Sequence, residues 1–549
     1  MQQFENNEQK NDAQMQMPSD PAAPTDIPSQ AYYGGNPPFI PINTYEEPPT
    51  PTLTDNLFAW ISLFVGYLVV QSFPIVSHTL GGVLCAWMLF LFCSIYLIRS
   101  GILPSRSSIL FGVTVCLLSL GWITGANHTV QRLLAIFVLF SLFYYIYAAC
   151  GLCGKQIFGR QSLMHAFYAT LMIPMTSLTH LFRALPVRTT HGAGRVMRAV
   201  AWALLGLGIA IVPTAVIILL LSYDEQFLEL LRRIFSFTPK NVVGTLLDLI
   251  LGFLVAVLLF GVMFGSKWKR ERNGGEETKI NAPSCHILPK PLLCAAVTPI
   301  LAVYVIFFVS QLDWYLSAFT GVLPSNLTYA TYARDGFFEL CIVCGINALI
   351  LLLFNLLIRR TEGERGILRA IYSAILSVFT LVLIATAISK MVLYINTYGL
   401  TQKRVYASWF MLLLAACFIA VLVAQFARRI RLIALLLVIC IVFFGILVLV
   451  DIDGVIANYN VDAYLSERVE DVDVETLEDY GVASVPALVS LERELDGRTD
   501  RTSQEDALLL RTREVLDRIA LELESVSDSF FDFNLPTHRA KRLLAQRVQ

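Results

Sequence analysis

The feature that most constrains this chain is a series of apolar runs, each about as long as a membrane is thick. They follow one another from Leu57 to Val450, separated by short polar connections. A transmembrane helix needs roughly 20 predominantly apolar residues to cross a hydrocarbon core of about 30 Å. The alternating ten-residue pattern of a membrane β-barrel is not present. The sequence therefore predicts an all-α polytopic membrane protein.

Eleven runs meet this criterion, and the composition agrees with them. Of the 549 residues, 56% are hydrophobic and 15% are charged, whereas a soluble chain carries about 25% charged residues. The predicted spans are Leu57 to Phe73, His78 to Ile98, Ser107 to Ile123, Leu133 to Cys150, Ala199 to Ser222, Val242 to Gly265, Leu292 to Ser310, Tyr332 to Ile358, Ile371 to Tyr394, Ser408 to Ala427 and Leu432 to Val450.

Basic residues in the connections predict the orientation. One set of alternate connections holds 21 Lys and Arg, and the other set holds seven when Arg334, at the start of the eighth run, is included. Cytoplasmic loops carry the excess of Lys and Arg. The bias therefore predicts a cytoplasmic N-terminus and an extracytoplasmic C-terminus.

Two regions flank this predicted bundle of residues 56–450. Residues 1–55 are rich in Pro, Gln and Asn and have few aliphatic side chains, so we expect a disordered cytoplasmic tail. Its Pro-rich part could dock on a protein partner, although a plain tether is the more common use. Residues 451–549 contain 22 acidic and 11 basic residues and no cysteine. They predict an acidic, all-helical, soluble domain outside the membrane.

Local motifs predict the helices of this domain. Thr502 and Glu505 have capping-box spacing and open an amphipathic run to about Val526. Ser484 and Pro486 precede a shorter helix, another helix starts near Asp453, and Thr537 is the expected cap of a last helix.

The stretch around residues 161–198 carries basic residues and no acidic residue. We expect Gln161 to Phe182 to be an interfacial helix on the membrane, with basic side chains near anionic headgroups. The alternative is that it crosses the membrane. A crossing would invert the orientation of everything downstream and place most later basic loops outside, so we disfavour it.

Charged and polar residues inside the predicted spans form the candidate site. Its members are expected in the outer leaflet or the upper midplane, and they are Arg334, Asp335, Glu339, Lys390, Asp248 and Asn347. An unpaired carboxylate there costs several kcal/mol. One interpretation is an outward-facing polar cavity for a headgroup, an ion or a proton, and the other is a buried ion-pair network that fixes helix register.

The same region carries a resemblance. Arg334, Gly336, Phe337 and Phe338 match the Arg-x-Gly-Phe-Phe part of a Tyr-x-x-Arg-x-Gly-Phe-Phe signature, and Tyr332 lies one residue nearer to Arg334 than the signature places its tyrosine. With Asn460, Tyr464 and Pro486 after the last span, the segment resembles bacterial multi-pass membrane proteins of the domain-of-unknown-function families DUF4173 and DUF4153. The resemblance implies a multi-pass protein of the bacterial cytoplasmic membrane. It implies no catalytic residue.

Other motifs are weak. Cys150 and Cys153 have CxxC spacing, and with Cys285 and His286 a zinc site is conceivable, although small apolar residues at a helix end are the preferred interpretation. Walker-type, GxSxG and HExxH motifs are not found, so we expect no cofactor and assign no catalytic residue. The net charge of −1 gives no reason to expect nucleic-acid binding.

Three functions stay open, with the lipid bilayer as the one certain partner. The first is a non-enzymatic envelope sensor, assembly or interaction protein that uses the C-terminal domain and the N-terminal tail to meet protein partners. The second is a transporter or lipid-handling protein that uses the outward polar cavity. The third is an intramembrane transferase on a lipid-linked substrate, with Asp335 or Glu339 as base.

Overall fold

The computed structural model of the protein describes residues 50–76, 79–154, 157–159, 161–185, 240–275, 290–310, 337–357, 367–427, 430–526 and 529–548, with single positions between 203 and 226. All regular structure in these residues is helical. The predicted all-α fold class is therefore confirmed for this part of the chain. Residues 1–49, which hold most of the predicted tail, lie outside it.

The first helices pack around one apolar core. They are α1 (Leu53–Val76), α2 (Leu80–Arg99), α3 (Arg106–Leu118), a short α4 (Gly121–Thr124) and α5 (His128–Ala149). Tyr96, Leu134 and Ile146 are fully buried among them. The first span was predicted to start at Leu57, but α1 begins four residues earlier, at Leu53, and has Asp55 in its first turn.

The segment expected as one interfacial helix consists of several short pieces. These are α6 (Ser162–Phe167), a π-helical turn (Tyr168–Met172), α7 (Ile173–Ser177) and α8 (His180–Ala184). The π turn and Pro174, which opens α7, interrupt the regular α-helical hydrogen bonds. The prediction of a single helix was therefore wrong. Residues 186–198 lie outside the described part.

Helix α9 (Lys240–Arg272) is the helix on which α1 and α7 pack. A methyl group at Gly66 of α1 would collide with the carbonyl oxygen of Gly252, so glycine is needed where these two backbones meet. On another side, Gly261 and Gly265 leave room for Ser177 of α7. The helix runs seven residues beyond its predicted end at Gly265, and Lys267 therefore belongs to it.

A second group of helices follows. It contains α10 (Lys290–Ser310), α11 (Phe337–Leu357), α12 (Ile367–Tyr398), α13 (Gln402–Phe426) and α14 (Leu432–Leu449). Phe337, Met391 and Phe418 lie in a core shared by α11, α12 and α13. Helix α14 also contacts α4 and α5 of the first group.

The described residues contain eight stretches that are long and apolar enough to cross a membrane. They are Leu53–Val70, Leu80–Arg99, Arg106–Thr124, His128–Ala149, Leu247–Arg272, Ala370–Tyr398, Gln402–Phe426 and Leu432–Leu449. Two shorter apolar helices are Cys294–Ile306 and Glu339–Leu353. The chain is therefore a multi-pass membrane protein. The predicted run from Ala199 to Ser222 lies almost wholly outside the described residues, so the number eleven stays a prediction.

In the described residues after α14, five further α-helices follow. They are α15 (Ile452–Leu465), α16 (Val474–Glu478), α17 (Val485–Asp496), α18 (Ser503–Glu524) and α19 (Leu535–Val548). The predicted capping box is confirmed, because Thr502 Oγ1 accepts from Glu505 N and the Glu505 carboxylate accepts from Thr502 N. The expected cap at Thr537 was wrong. Asn534 Oδ1 accepts from Thr537 N instead, and α19 begins two residues earlier.

Candidate functional site

A buried hydrogen-bonded cluster joins the C-terminal helices to the ends of the membrane helices, and we call it the polar junction. Its centre is Asp453, in the first turn of α15, with 4% of its surface exposed. Asn127 Nδ2 lies 3.0 Å from both carboxylate oxygens, and Gln402 Nε2 donates to Oδ1 at 2.8 Å. The three residues thus come from the start of α5, the start of α13 and α15.

Local structure explains why these side chains point inward. Asn127 is the N-cap of α5, and its Oδ1 accepts from Val130 N at 3.0 Å, which leaves Nδ2 for Asp453. Asp453 follows the last membrane helix after three residues, and α15 begins at Ile452 with Asp451 as its cap. The chain therefore turns directly from the membrane into the polar junction.

The electrostatics of the junction favour neutral carboxyl groups. Burial raises the pKa of Asp453 above its ordinary value, although the bonds from Asn127 and Gln402 offset part of this effect. Burial also raises the pKa of Asp451 to about 6, and the nearby Asp453 carboxylate adds to the rise. The junction can therefore take up a proton in mildly acidic solution.

A second contact fixes the turn between α12 and α13. Asn460 Oδ1 accepts from Leu400 N at 2.6 Å, and its Nδ2 donates to Leu400 O at 2.9 Å. The preceding Gly399 has a φ of +72°, and a Cβ atom there would lie 2.6 Å from Asn460 Oδ1. This position needs glycine both for its left-handed backbone and for the space.

A third contact comes from the segment just before α19. Phe533 O accepts from Leu80 N, the first residue of α2, at 2.9 Å. Asn534 Nδ2 donates to Trp122 O at 3.1 Å and to Gly125 O at 3.2 Å. The C-terminal helices are thus bonded to three separate ends of the membrane helices, and their buried residues continue the core of the first helix group.

A cavity of about 150 Å³ opens beside the junction, between α15, α17 and α19. Asp451, Asn458 and Arg539 supply its polar atoms, and Pro486 supplies part of its apolar wall. It is large enough for a few water molecules or a small side chain.

Comparison with known proteins gives one result. A family model described as "Domain of unknown function (DUF4153)" matches residues 86–491, which is most of the chain. The chain belongs to the DUF4153 family. No curated protein and no solved structure matches it. The matched region includes Asn127, Gln402 and Asp453 and ends inside α17, before α18 and α19.

The predicted intramembrane residues of this DUF4153 protein are only partly described. Arg334 and Asp335 lie outside the described residues. Glu339 is exposed in the first turn of α11, whereas Lys390 is buried on α12. Asp248 is half-buried on α9, which belongs to the first helix group.

Asn347 is the predicted site residue whose contacts are clearest. It is fully buried on α11, accepts from the Tyr304 hydroxyl at 2.6 Å and donates to Thr380 Oγ1 at 3.0 Å. It links α10, α11 and α12 within the second helix group of the DUF4153 chain.

The residues of the family motif are also described only in part. Tyr332, Arg334 and Gly336 lie outside the described residues, as does the side chain of Phe338. Phe337 is buried in the core of the second group. Among the residues after the last span, Asn460 makes the contact with Leu400 given above, and Tyr464 packs half-buried against the main core.

Two of the four weak zinc candidates of the DUF4153 chain lie in the described part of the chain. Cys150 and Cys153 are buried at the end of α5, and Arg270 Nη1 donates to the Cys150 carbonyl at 2.8 Å. Cys285 and His286 lie outside the described residues. In the described part of the chain, no three His, Cys, Asp or Glu residues are grouped as metal ligands would be.

Sequence reasoning missed a second buried carboxylate, Asp55 in α1. Its oxygens both lie 2.9 Å from Lys267 Nζ of α9, and Tyr96 and Thr52 also donate to it. Asp55 is 1% exposed and Lys267 is 6% exposed. Asp55 was assigned to the tail and Lys267 to a loop, because the two lie 212 residues apart and each borders a polar stretch.

The polar junction was missed for a related reason. Asn127 and Asp453 are 326 residues apart. Neutral amides in short connections also look like ordinary surface residues. The one usable signal was the pair of acidic residues, Asp451 and Asp453, placed directly after the last apolar run.

Proposed function

We propose that this DUF4153 protein is a non-enzymatic sensor, assembly or interaction protein of the bacterial envelope. In this proposal eleven spans hold it in the cytoplasmic membrane, and DUF4173 is a sister family. Its C-terminal helices form an acidic soluble domain outside the membrane, where they meet a protein partner. The observation that carries the proposal is the buried Asp453, held by Asn127 and Gln402 from two separate helix ends. Such a link would transmit a displacement of α15 to the membrane helices.

The contacts of the C-terminal helices support their placement at a single face of the bundle. They bond to the start of α2, to the turn between α4 and α5, and to the turn between α12 and α13. In the eleven-span topology all three lie on the outer face. Asp55 and Lys267 fall on the inner face in the same topology.

The orientation is tested by labelling one cysteine in intact cells. Ser490 is exposed on α17 in the cysteine-free C-terminal region, so Ser490→Cys should react with a membrane-impermeant maleimide above the wild-type background. Glu271→Cys, at the exposed end of α9, is the matched control and should react only after lysis. The opposite pattern would place the C-terminal helices in the cytoplasm and end the envelope proposal.

The interaction role is tested by photo-crosslinking in living cells. A photoreactive residue at Leu521, which is 66% exposed on α18, should capture a defined partner. Asp453→Asn should change the yield of that product, because the amide nitrogen that replaces Oδ2 is a donor and cannot accept from Asn127 Nδ2 as the carboxylate does. The same residue at Met88, exposed on a membrane helix, controls for nonspecific capture. A product that is unaffected by Asp453→Asn would refute coupling through the junction.

A transporter or lipid-handling role is the second candidate. The buried Lys390 and the bonded group of Asn347, Tyr304 and Thr380 favour it, because polar groups inside a membrane bundle are costly and often functional. A saturable effect of a ligand that Glu339→Gln or Lys390→Met abolishes, without loss of folded protein, would support this role over the first.

A further inference from the structure

Four large apolar side chains stand exposed in and around the turn before α19. Phe530 is 69% exposed, Phe531 57%, Phe533 38% and Leu535 49%. Phe530 and Phe531 pack edge to face with each other, with ring centroids 5.8 Å apart. A contiguous exposed apolar patch of this kind marks a surface that meets a membrane or a partner.

The charge of α19 is opposite to that of the helices before it. Residues 535–549 contain four Lys or Arg and no Asp or Glu, although residues 451–549 as a whole are strongly acidic. Pro536, Ala540 and Leu544 bury one side of the helix. The other side of the helix is exposed. Its residues lie three and four positions apart, and they are Leu535, His538, Arg539 and Arg542.

This surface starts where two membrane helices end. Phe533 is bonded to Leu80, the first residue of an apolar stretch long enough to cross a membrane, and Asn534 is bonded to Trp122 near the end of another such stretch. An amphipathic helix at a membrane surface buries its apolar side chains about 5–10 Å into the headgroup region. The exposed phenylalanines lie two and three residues from the Leu80 contact, which is within that reach.

A cleft of about 500 Å³ lies beside the phenylalanines. His538, Lys541 and Arg542 line it, with Asp532 as its acidic residue. Lys541 Nζ donates to the carbonyl of Val526 at 2.9 Å, which ties the cleft to the end of α18. The excess of cationic groups is complementary to a phosphate.

We propose that the turn at residues 529–534 and the exposed side of α19 dock on the bilayer surface. Phe530 and Phe531 enter the interface, and Arg539 and Arg542 bind the phosphates of anionic phospholipids. The proposal holds whichever side of the membrane α19 occupies, so a failure of the labelling test above leaves it standing.

The test follows amide hydrogen exchange of the full-length protein in detergent during titration with short-chain phosphatidylglycerol. Peptides that cover residues 529–542 should become protected, at lower lipid concentration than with phosphatidylcholine. One basic residue near an anionic surface contributes about a fivefold difference in affinity. Arg542→Gln should therefore raise the half-maximal lipid concentration roughly fivefold. Arg539→Gln/Arg542→Gln should raise it roughly 25-fold.

The control variant is Arg493→Gln/Arg511→Gln, which removes the same charge from exposed positions of α17 and α18 and should leave the titration unchanged. Phe530→Ser/Phe531→Ser should reduce protection by both lipids, and unchanged exchange in α17 would show that the fold is kept. Equal protection by both lipids, no protection, or full protection by inorganic phosphate alone would each overturn the proposal, the last by showing a site for soluble anions.

Discussion

Two buried aspartates lie at opposite ends of the first helix group and are stabilised in different ways. Asp55 faces the ammonium group of Lys267 and two hydroxyls. Asp453 accepts from the neutral amides of Asn127 and Gln402, with His128 nearby. A cation holds a buried carboxylate in its charged form, while amides compensate burial only in part. The end of the bundle near Asp55 is thus a fixed ion pair, and the end near Asp453 is sensitive to protons.

The largest effect should come from breaking the ion pair. Lys267→Met leaves the Asp55 carboxylate buried without its cation, so we expect the free energy of unfolding to fall by about 3–5 kcal/mol. Thermal unfolding of the purified protein in detergent measures the loss. Arg272→Gln, an exposed cation near the end of the same helix, should cost under about 1 kcal/mol. The double variant Asp55→Asn/Lys267→Met should recover much of the loss, and no recovery would contradict the pairing.

A smaller effect should appear as a dependence on pH at the other end. Because the pKa of Asp451 is raised to about 6 in the folded protein, from an ordinary value of 3.8, the folded state binds a proton more tightly than the unfolded state. Stability should therefore rise as pH falls from about 6 toward 4 and be lost as pH rises again.

We expect this gain to be about 1–2 kcal/mol, since Asp451 is partly exposed. Asp451→Asn should remove it, and Asp462→Asn, an exposed aspartate of the same helix, should not. Unfolding temperatures of the three proteins between about pH 7 and pH 4 give the comparison. Parallel curves for the wild type and Asp451→Asn would show that Asp451 does not titrate in this range.

The smallest expected difference, about 1 kcal/mol between two glycine variants, tests how tightly Asn460 packs against the turn between α12 and α13. Gly399 and Gly101 both have left-handed backbones, but only Gly399 faces a side chain, Asn460. In both alanine variants the left-handed backbone should lower the free energy of unfolding by about 1–2 kcal/mol. Gly399→Ala should cost roughly 1 kcal/mol more, because one of the Asn460 hydrogen bonds is displaced. Adding Asn460→Ala to Gly399→Ala should cost less than Asn460→Ala alone, because one of its two bonds is already lost. Equal losses for Gly399→Ala and Gly101→Ala would mean that the Asn460 contact is loose.

The sequence predicts the membrane helices well because length and hydropathy are local properties. The last run was expected from Leu432 to Val450, and α14 spans Leu432–Leu449. The capping box at Thr502 is local in the same sense. Errors arose where a distant partner changes the meaning of a residue. From the sequence alone, Lys267 is expected to be a loop cation, because the predicted span ends at Gly265. In the structure Lys267 contacts Asp55, and α9 continues past Gly265.

The candidate site shows the same limit. Intramembrane charges such as Lys390 and Glu339 stand out in an apolar sequence, so they were found. The polar junction depends on two amides and a carboxylate from three regions, and each alone is an ordinary polar residue next to a helix end. Hydropathy carries no information about which helix ends meet.

The pairing of α1 with α9 also sets an order on how the protein is made. Asp55 emerges from the ribosome 212 residues before Lys267, which is roughly 10–40 s at a synthesis rate of about 5–20 residues per second. During that interval the carboxylate has no ammonium partner, and Gly66 has no backbone to lie against. Helix α1 therefore reaches its final place only after at least four later membrane helices exist, and a ribosome that stalls between them would leave α1 unanchored.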